Sequence, residues 1–287
     1  MKWLDNIQWQ RDLGVDLRMM NNQAPPNRNQ WYMTVLEETV KDKDCLEIGF
    51  GAGLLSLIAL EVGARHITAW EADKYRYQLG CHIIKKLGLE SKISLHQGKY
   101  NSTTKPKPDT VIFHEIIGPN IWQEGLRSSL PIGDNLIVPG QYVMDFEIFA
   151  ITESQFQDHF YPYREFSPKV NINAEYIKLV NQLIEQSPNV VNNRTWYTSR
   201  MFNLVDKANF YDIDVNNIAS IPQSYTAGVG LPVSNTDRFI LYPKSSIRHN
   251  SHELFWSYYD PILVPKYARS VTITQNFDTG LFTVLDT

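Results

Sequence analysis

The feature that most restricts the fold is a glycine-rich loop between two apolar runs. Residues 44–48 (Asp-Cys-Leu-Glu-Ile) are typical of a short buried strand, and residues 54–62, rich in Leu, Ile and Ala, are typical of a helix. Gly49, Gly51 and Gly53 lie between them. Glycine lets a backbone turn sharply and lets a ligand approach it closely, and the amides that open the next helix would point at that ligand. The strand–loop–helix unit therefore predicts a nucleoside-binding loop.

The order of elements around this loop predicts an α/β fold, a Rossmann-like parallel sheet with helices on both faces. Such sheets arise where apolar β-type runs alternate with helix-like stretches. The predicted elements are a helix at 29–41, the strand at 44–48, the helix at 54–62, a strand at 66–71, a helix at 74–87 capped by Gly88, and strands at 92–96 and 109–114.

A second acidic residue supports the nucleoside interpretation. Glu71 ends a predicted strand, 22 residues beyond Gly49. A carboxylate at that place can accept hydrogen bonds from both ribose hydroxyls of an adenosine, in enzymes that use NAD and in those that use S-adenosylmethionine. The dinucleotide fingerprint is G-x-G-x-x-G, whereas the third glycine here, Gly53, comes one residue earlier. The G-x-G-x-G spacing favours S-adenosylmethionine.

The second half of the chain predicts a mainly β domain, a barrel or a sandwich. Short β-type runs separated by turn-prone residues lie at 142–151, 195–202, 210–215, 238–242, 261–264 and 270–274. The change from alternating helices and strands to short strands alone divides the chain into a cofactor domain at 1–135 and a β domain at 136–287. Residues 173–186 differ from the rest of this half: their amphipathic pattern is typical of a helix. Its apolar stripe packs either on its own domain or against a second subunit.

Two glutamates follow the last predicted strand of the first half. Glu115 and Glu124 stand nine residues apart, with a Gly118-Pro119 turn between them. Glu115 would lie at the carboxyl end of a parallel strand, where open α/β sheets place their sites. Two converging carboxylates repel each other unless a cation lies between them, and a guanidinium is a planar, permanently charged cation with five donors. The pair therefore predicts a clamp for a guanidinium-bearing acceptor.

The glutamate segment resembles the double-glutamate loop of the protein arginine methyltransferase family, in which two glutamates at this spacing hold the substrate guanidinium. Other segments of the chain resemble the family in the same order. They are Arg28-Asn-Gln-Trp-Tyr32 for the family's Arg-x-x-x-Tyr helix, Leu46-Glu47-Ile48-Gly49 for its first motif, and Leu136-Ile-Val-Pro139 for the start of its β-barrel. The resemblance, over roughly residues 18–145, implies an S-adenosylmethionine-dependent enzyme that methylates a guanidino nitrogen of arginine in a protein or peptide.

The resemblance also implies roles for further residues. Arg28 would bind the carboxylate of the cofactor, and Glu47 stands where the family's cofactor motif usually has Asp. Asn101 occupies the position where an acid usually meets the adenine amine. Trp122 within the glutamate loop, and Trp256 in the segment nearest to the family's Thr-His-Trp loop, would lie beside the acceptor.

The family usually pairs through an arm inserted in its barrel. Residues 155–190, which include the amphipathic stretch, occupy that place here. The resemblance therefore implies a homodimer.

Composition and charge exclude several other classes of protein. A net charge of −4 argues against nucleic acid as a partner, and no apolar run approaches the roughly 20 residues of a membrane helix. Residues 1–16 lack the apolar core of a signal peptide, and two cysteines make neither a disulfide framework nor a zinc site. The histidines, among them His114 where the family usually has Ser, have no metal-ligand spacing. These observations favour a cytoplasmic protein without a metal.

Two alternatives to a protein arginine methyltransferase stay open. One is a methyltransferase for free arginine or for another guanidino or amine metabolite. The other is a catalytically silent scaffold with the same fold. The presence of Arg28, the glycine loop, Glu71, Glu115 and Glu124 argues against the scaffold, because a protein that only binds partners has no chemical need for all of them.

Overall fold

The computed structural model describes residues 28–117, 125–131, 133–152, 155, 203–216, 222–232, 238–258, 261–266 and 268–286. Several predicted features lie outside these residues: Trp122, Glu124, the amphipathic stretch at 173–186, the strand at 195–202 and, except for Gln155, the proposed arm at 155–190.

The first half alternates helices and strands as the sequence predicts. The helices are α1 (Arg28–Thr39), α2 (Leu54–Glu61), α3 (Lys74–Leu87) and the short α4 (Leu126–Ser129). The strands are β1 (Asp44–Ile48), β2 (His66–Glu71), β3 (Ile93–Gln97), β4 (Val111–His114) and β5 (Ile137–Val138).

These five strands form one parallel sheet in the order β3-β2-β1-β4-β5. The whole of β4 and nearly all of β1 are buried, because strands in the middle of such a sheet have both faces covered. The Rossmann-like class predicted from the sequence is confirmed. The parallel arrangement brings the carboxyl ends of β1, β2 and β4 to the same edge, where the glycine loop, Glu71 and Glu115 follow.

Local side-chain chemistry fixes the ends of α3. The Asp73 carboxylate accepts hydrogen bonds from the backbone N–H groups of Tyr75 and Arg76, which caps the first turn. Gly88 ends the helix at a φ of 67°, a left-handed conformation that glycine adopts without steric cost. Both signals are local, and the predicted helix at 74–87 agrees with the observed one.

The second half contains two antiparallel sheets. The larger has the order β10-β9-β6-β7, with β11 also paired to β9, and the smaller has the order β13-β12-β8. Their strands are β6 (Gln141–Ile151), β7 (Asn203–Asp214), β8 (Ser224–Gly230), β9 (Arg238–His249), β10 (His252–Tyr258), β11 (Ile262–Leu263), β12 (Ser270–Asn276) and β13 (Phe282–Asp286). The mainly β character is confirmed, but a closed barrel is not.

An aromatic cluster joins the two antiparallel sheets. Phe146 of β6 packs against Phe210 of β7, with ring centroids 4.9 Å apart, and against Phe282 of β13 at 5.9 Å. All three rings are buried and belong to a hydrophobic core that continues into the cofactor domain. The last parallel strand, at Ile137–Val138, lies just beyond the predicted division at residue 135, which stays a prediction. No helix in the described part of the chain is both long and apolar enough to span a membrane.

Candidate cofactor and acceptor site

A cavity of about 370 Å³ opens at the carboxyl edge of the parallel sheet. Its walls come from the start of α1, the glycine loop, the end of β2, the segment after β3 and the segment after β4. The residues predicted from the sequence that line it are Arg28, Glu47, Gly49, Gly51, Glu71 and Glu115. The fold therefore gathers side chains that are far apart along the chain.

The glycine loop has a backbone that only glycine adopts readily. Gly49, Gly51 and Gly53 have φ angles of 86°, 56° and 82°, all in the left-handed region. A Cβ atom on Gly49 would lie 2.8 Å from the side chain of Ile116, whereas a Cβ on Gly51 would meet nothing within 4 Å. Gly51 thus exposes its backbone to the cavity without a side chain, and Gly49 lets the glycine loop pack closely against the segment after β4.

Glu71 ties the glycine loop to the end of β2. Its two carboxylate oxygens accept hydrogen bonds from the backbone N–H of Gly51 and from that of Asp73, each at 2.7 Å. The side chain is buried and lines the cavity. Each carboxylate oxygen has a second lone pair, so Glu71 can still accept hydrogen bonds from the hydroxyls of a ligand.

Glu47 forms the floor of the cavity in an uncharged state. The Ser56 hydroxyl donates a hydrogen bond to its carboxyl group, which is only 1% exposed. Burial, against the lowering effect of that hydrogen bond and with a further contribution from the negative charge of Glu71, raises the pKa of Glu47 to about 8. Glu47 therefore keeps its proton at neutral pH.

Arg28 and Glu115 form an ion pair at the wall of the cavity. The Arg28 guanidinium donates from Nη1 to the Glu115 carboxylate, and the side chains are 14% and 18% exposed. The contact joins the residue predicted to bind the cofactor carboxylate to the first residue of the predicted acceptor clamp. It places a guanidinium on Glu115, the arrangement that the clamp hypothesis requires of an acceptor.

Three buried side chains lie behind Glu115. The Tyr32 hydroxyl donates to the backbone carbonyl of His114 at 2.8 Å, and the Tyr142 hydroxyl lies 3.1 Å from Nε2 of His114. Burial lowers the pKa of His114 to about 3, so the ring is neutral at physiological pH. The sequence marked Tyr32 through its resemblance to the Arg-x-x-x-Tyr helix. It carried no signal for Tyr142, because the contact joins residues 28 positions apart.

The structure does not bring Asn101 to the cavity. Its Oδ1 accepts hydrogen bonds from the backbone N–H and the hydroxyl of Thr103, at 3.0 and 2.8 Å. Asparagine often forms such a local turn with the residue two positions on, and the turn keeps this side chain exposed. Its neighbours Lys99 and Tyr100 line the cavity instead, at a strand end that the general rule for α/β sites indicates.

The acceptor side is only partly defined. Glu124 and Trp122 lie outside the described residues, and of Trp256 only the backbone, within β10, is described. Their predicted roles stay predictions. Within the described ranges, no group of three or more His, Cys, Asp or Glu side chains could hold a metal ion.

Comparison with known sequences finds arginine methyltransferases. The chain is 31% identical over 109 residues to protein arginine N-methyltransferase 9 of Homo sapiens, which covers 36% of this chain and 13% of the relative. It is 29% identical over 140 residues to protein arginine N-methyltransferase 1.1 of Arabidopsis thaliana, which covers 46% of this chain and 36% of the relative. The chain thus matches less than half the length of these relatives. No family model matches it.

Solved structures resemble the chain over nearly its whole length. A crystal structure of PRMT6 superposes with a TM-score of 0.65 at 14% identity and covers 95% of this chain and 98% of its own. A Trypanosoma brucei PRMT1 enzyme–prozyme heterotetrameric complex with AdoHcy superposes with a TM-score of 0.61 at 17% identity, covering 92% and 87%. At these identities the likeness shows the fold. The chain is thus similar in sequence, over part of its length, to protein arginine N-methyltransferases, and it shares the fold of solved structures of such enzymes.

Proposed function

We propose that the chain is an S-adenosylmethionine-dependent N-methyltransferase that acts on a guanidino nitrogen of arginine in a protein or peptide. The observation that carries the proposal is the Arg28–Glu115 ion pair beside the glycine loop. It holds a guanidinium on a carboxylate at the wall of a nucleoside-sized cavity. A strand-end carboxylate that already accepts a guanidinium is suited to accept another from an acceptor arginine.

The described residues fit the cofactor. The cavity volume lies within the usual range for small-molecule sites. Glu71 offers free lone pairs to ribose hydroxyls, and Gly51 offers close approach of the backbone. Arg28 offers a guanidinium to a carboxylate. S-adenosylmethionine, when bound, supplies the methyl group as an electrophile. The solved Trypanosoma brucei relative is a complex with AdoHcy, the form of this cofactor that has lost its methyl group.

Glu115 and Glu124 would act by positioning and by charge. Two carboxylates would hold the planar guanidinium of the acceptor and aim one nitrogen at the methyl donor. Their negative charge would also stabilise the positive charge on the acceptor, and a carboxylate or water would take the N–H proton that the methylated nitrogen releases. Neither role needs a protein nucleophile or a metal ion, and the low pKa of the buried His114, about 3, makes its ring a poor proton acceptor.

A comparison of acceptors tests the proposal and its nearest alternative. Incubation with labelled S-adenosylmethionine, followed by mass spectrometry, should detect methylated arginine in arginine-rich peptides. Free arginine offered at the same concentration should be methylated much more slowly. Preferential methylation of free arginine would favour a metabolite enzyme. No transfer to any guanidino acceptor, together with intact cofactor binding, would favour a scaffold.

We further propose that the chain forms a homodimer through residues 155–190. The support is the amphipathic pattern of this stretch and its position after β6 in the β domain. Sedimentation at micromolar concentration should give about twice the chain mass of 33.2 kDa. Replacing two apolar residues of the stripe, Val180 and Leu183, with Asp should shift the protein to monomer. A wild-type protein that sediments as a monomer would remove this proposal.

A further inference from the structure

A buried hydrogen-bonded contact links the segment that carries Glu115 to the β domain. His114 is the last residue of β4, and its register partner is Ile48, which directly precedes the glycine loop. Tyr142 belongs to β6, the strand that pairs with both β7 and β9 in the larger antiparallel sheet. The hydroxyl of Tyr142 and Nε2 of His114 are 3.1 Å apart, and both side chains have no exposed surface.

The contact is the ring's one polar anchor in the described part of the chain. Nδ1 of His114 is buried and has no hydrogen-bond partner there, so Nε2 alone orients the ring. The neutral ring keeps this bond whether Tyr142 donates to Nε2 or accepts from it. Without the Tyr142 hydroxyl, both ring nitrogens would be buried and unpaired, a costly state that favours movement of the ring.

Movement of the His114 ring would displace the backbone of Glu115, the next residue in the chain. Glu115 is the first residue beyond the end of β4. The Tyr32 hydroxyl anchors the His114 carbonyl from α1, which also begins with Arg28. The backbone that presents Glu115 is thus held from α1 by the Tyr32 hydroxyl, which donates to the His114 carbonyl, and from the β domain by the contact of Tyr142 with the His114 ring.

We infer that His114 and Tyr142 are positioning residues that hold the Glu115 carboxylate in its productive place and make it depend on contact with the β domain. The inference rests on the proposed function for its effect on rate, and on geometry alone for its effect on the backbone. Small displacements of a positioned carboxylate lower the catalytic rate strongly, because charge and orientation act over short distances.

The test uses Tyr142→Phe with Tyr211→Phe as its matched control. Tyr211 is also buried in the β domain, and its hydroxyl donates to Gln275 at 2.9 Å, away from Glu115. Both variants remove the hydroxyl of a buried tyrosine and should lose similar stability. Tyr142→Phe should lower kcat on an arginine-rich peptide about tenfold, as expected for one lost hydrogen bond, with cofactor affinity within about twofold. Tyr211→Phe should keep the wild-type kcat.

Two histidine variants separate positioning from folding. The amide of Gln can reach the place of Nε2, whereas the shorter Asn reaches only that of Nδ1. His114→Gln should therefore keep kcat within about threefold, and His114→Asn should lose about tenfold. Equal losses in these two variants, or equal kcat values in Tyr142→Phe and Tyr211→Phe, would overturn the inference.

Amide hydrogen exchange gives a readout that does not need activity. Exchange at residues 111–117 should be about tenfold faster in Tyr142→Phe and in His114→Asn, and unchanged in Tyr211→Phe and in His114→Gln. If the wild type transferred no methyl group, the proposed function would fail and the exchange pattern would still decide the inference. Unchanged exchange at 111–117 in Tyr142→Phe would contradict it in either case.

Discussion

At the scale of single residues, the cavity brings three acidic side chains and Arg28 together beside the glycine loop. Glu71 accepts a hydrogen bond from the Gly51 N–H of the glycine loop, whereas burial keeps Glu47 protonated at neutral pH. Arg28 pairs with Glu115 and lies within the same cavity wall. Its guanidinium has five donors, so it can serve the cofactor and Glu115 in turn.

Arg28→Ala is expected to change two affinities in opposite directions. S-adenosylmethionine should bind 10- to 100-fold more weakly, because a charge-assisted hydrogen bond of about 1.5–3 kcal/mol is lost. An arginine-rich peptide should bind more tightly in the absence of cofactor, because Glu115 no longer has an internal partner. Calorimetry measures both. Arg65→Ala, which removes an exposed arginine paired with Asp44, is the control and should change neither. Weaker binding of both ligands to Arg28→Ala would show that Arg28 does not compete for Glu115.

Glu47→Gln is expected to change how stability depends on pH. A carboxyl group whose folded pKa is raised from 4.5 to about 8 stabilises the folded state fully below pH 4.5. That contribution is lost as the pH rises through about 8. The Gln variant does not titrate, so its stability relative to wild type should increase by up to about 1.4 kcal/mol per pH unit across this window. Urea unfolding at pH 5 and pH 8 measures it, and a constant difference would contradict the buried, protonated state.

Residue roles could be predicted where the chemistry is local. The glycine positions and the strand-end placement of Glu71 and Glu115 follow from short patterns. Asn101 was assigned to the adenine by alignment, but its preference for a local turn keeps it at Thr103. The pair His114 and Tyr142 was not predictable, because nothing in a single sequence connects two distant buried polar residues.

At the scale of elements, the glycine loop connects the two regions of the site. Gly49 and Phe50 both donate backbone hydrogen bonds to the Trp70 carbonyl, which fixes the loop on β2. The close approach of Gly49 to Ile116 fixes the same loop on the segment after Glu115. The glycine loop therefore packs against both the end of β2 and the segment that follows Glu115.

Gly49→Ala is expected to disturb the site as well as the fold. The new methyl group would need a left-handed backbone and would clash with Ile116, so cofactor affinity should fall at least tenfold, with a loss of stability above 1 kcal/mol. Gly88→Ala is the matched control: its φ is 67°, and nothing lies within 4 Å of the new Cβ. It should lose about 1 kcal/mol of stability and no cofactor affinity. Thermal unfolding and calorimetry measure both, and wild-type cofactor affinity in Gly49→Ala would contradict this account of the loop.

Elements were predictable where burial gave a continuous or periodic signal. The strands β1 and β2 were predicted to the residue because apolar runs and turn residues bound them. The strand β8 was missed because most of its residues are exposed and three of its seven are Gly or Ala. It exists because it pairs with β12, and such long-range pairing leaves little trace in local sequence.

At the scale of the whole molecule, a shared core joins the cofactor domain to the β domain. The core runs from α1 and the parallel sheet through Tyr142 and Phe146 of β6 into both antiparallel sheets. Since only two residues separate β6 from the last parallel strand, the β domain is held against the edge of the sheet that bears the site. The overall class was predictable from the alternation of elements, whereas the division into two antiparallel sheets was not.

The most direct test of the proposed chemistry is the rate of methyl transfer in Glu115→Gln and Glu124→Gln. Glutamine keeps the shape and hydrogen-bonding capacity of glutamate but removes the negative charge that would hold the acceptor guanidinium. Single-turnover transfer from labelled S-adenosylmethionine to an arginine-rich peptide should fall about 10²–10³-fold in each variant. Cofactor affinity should stay near that of wild type. Glu61→Gln, at an exposed position in α2, is the control and should transfer at the wild-type rate. Wild-type rates in either Glu115→Gln or Glu124→Gln would contradict the guanidinium clamp.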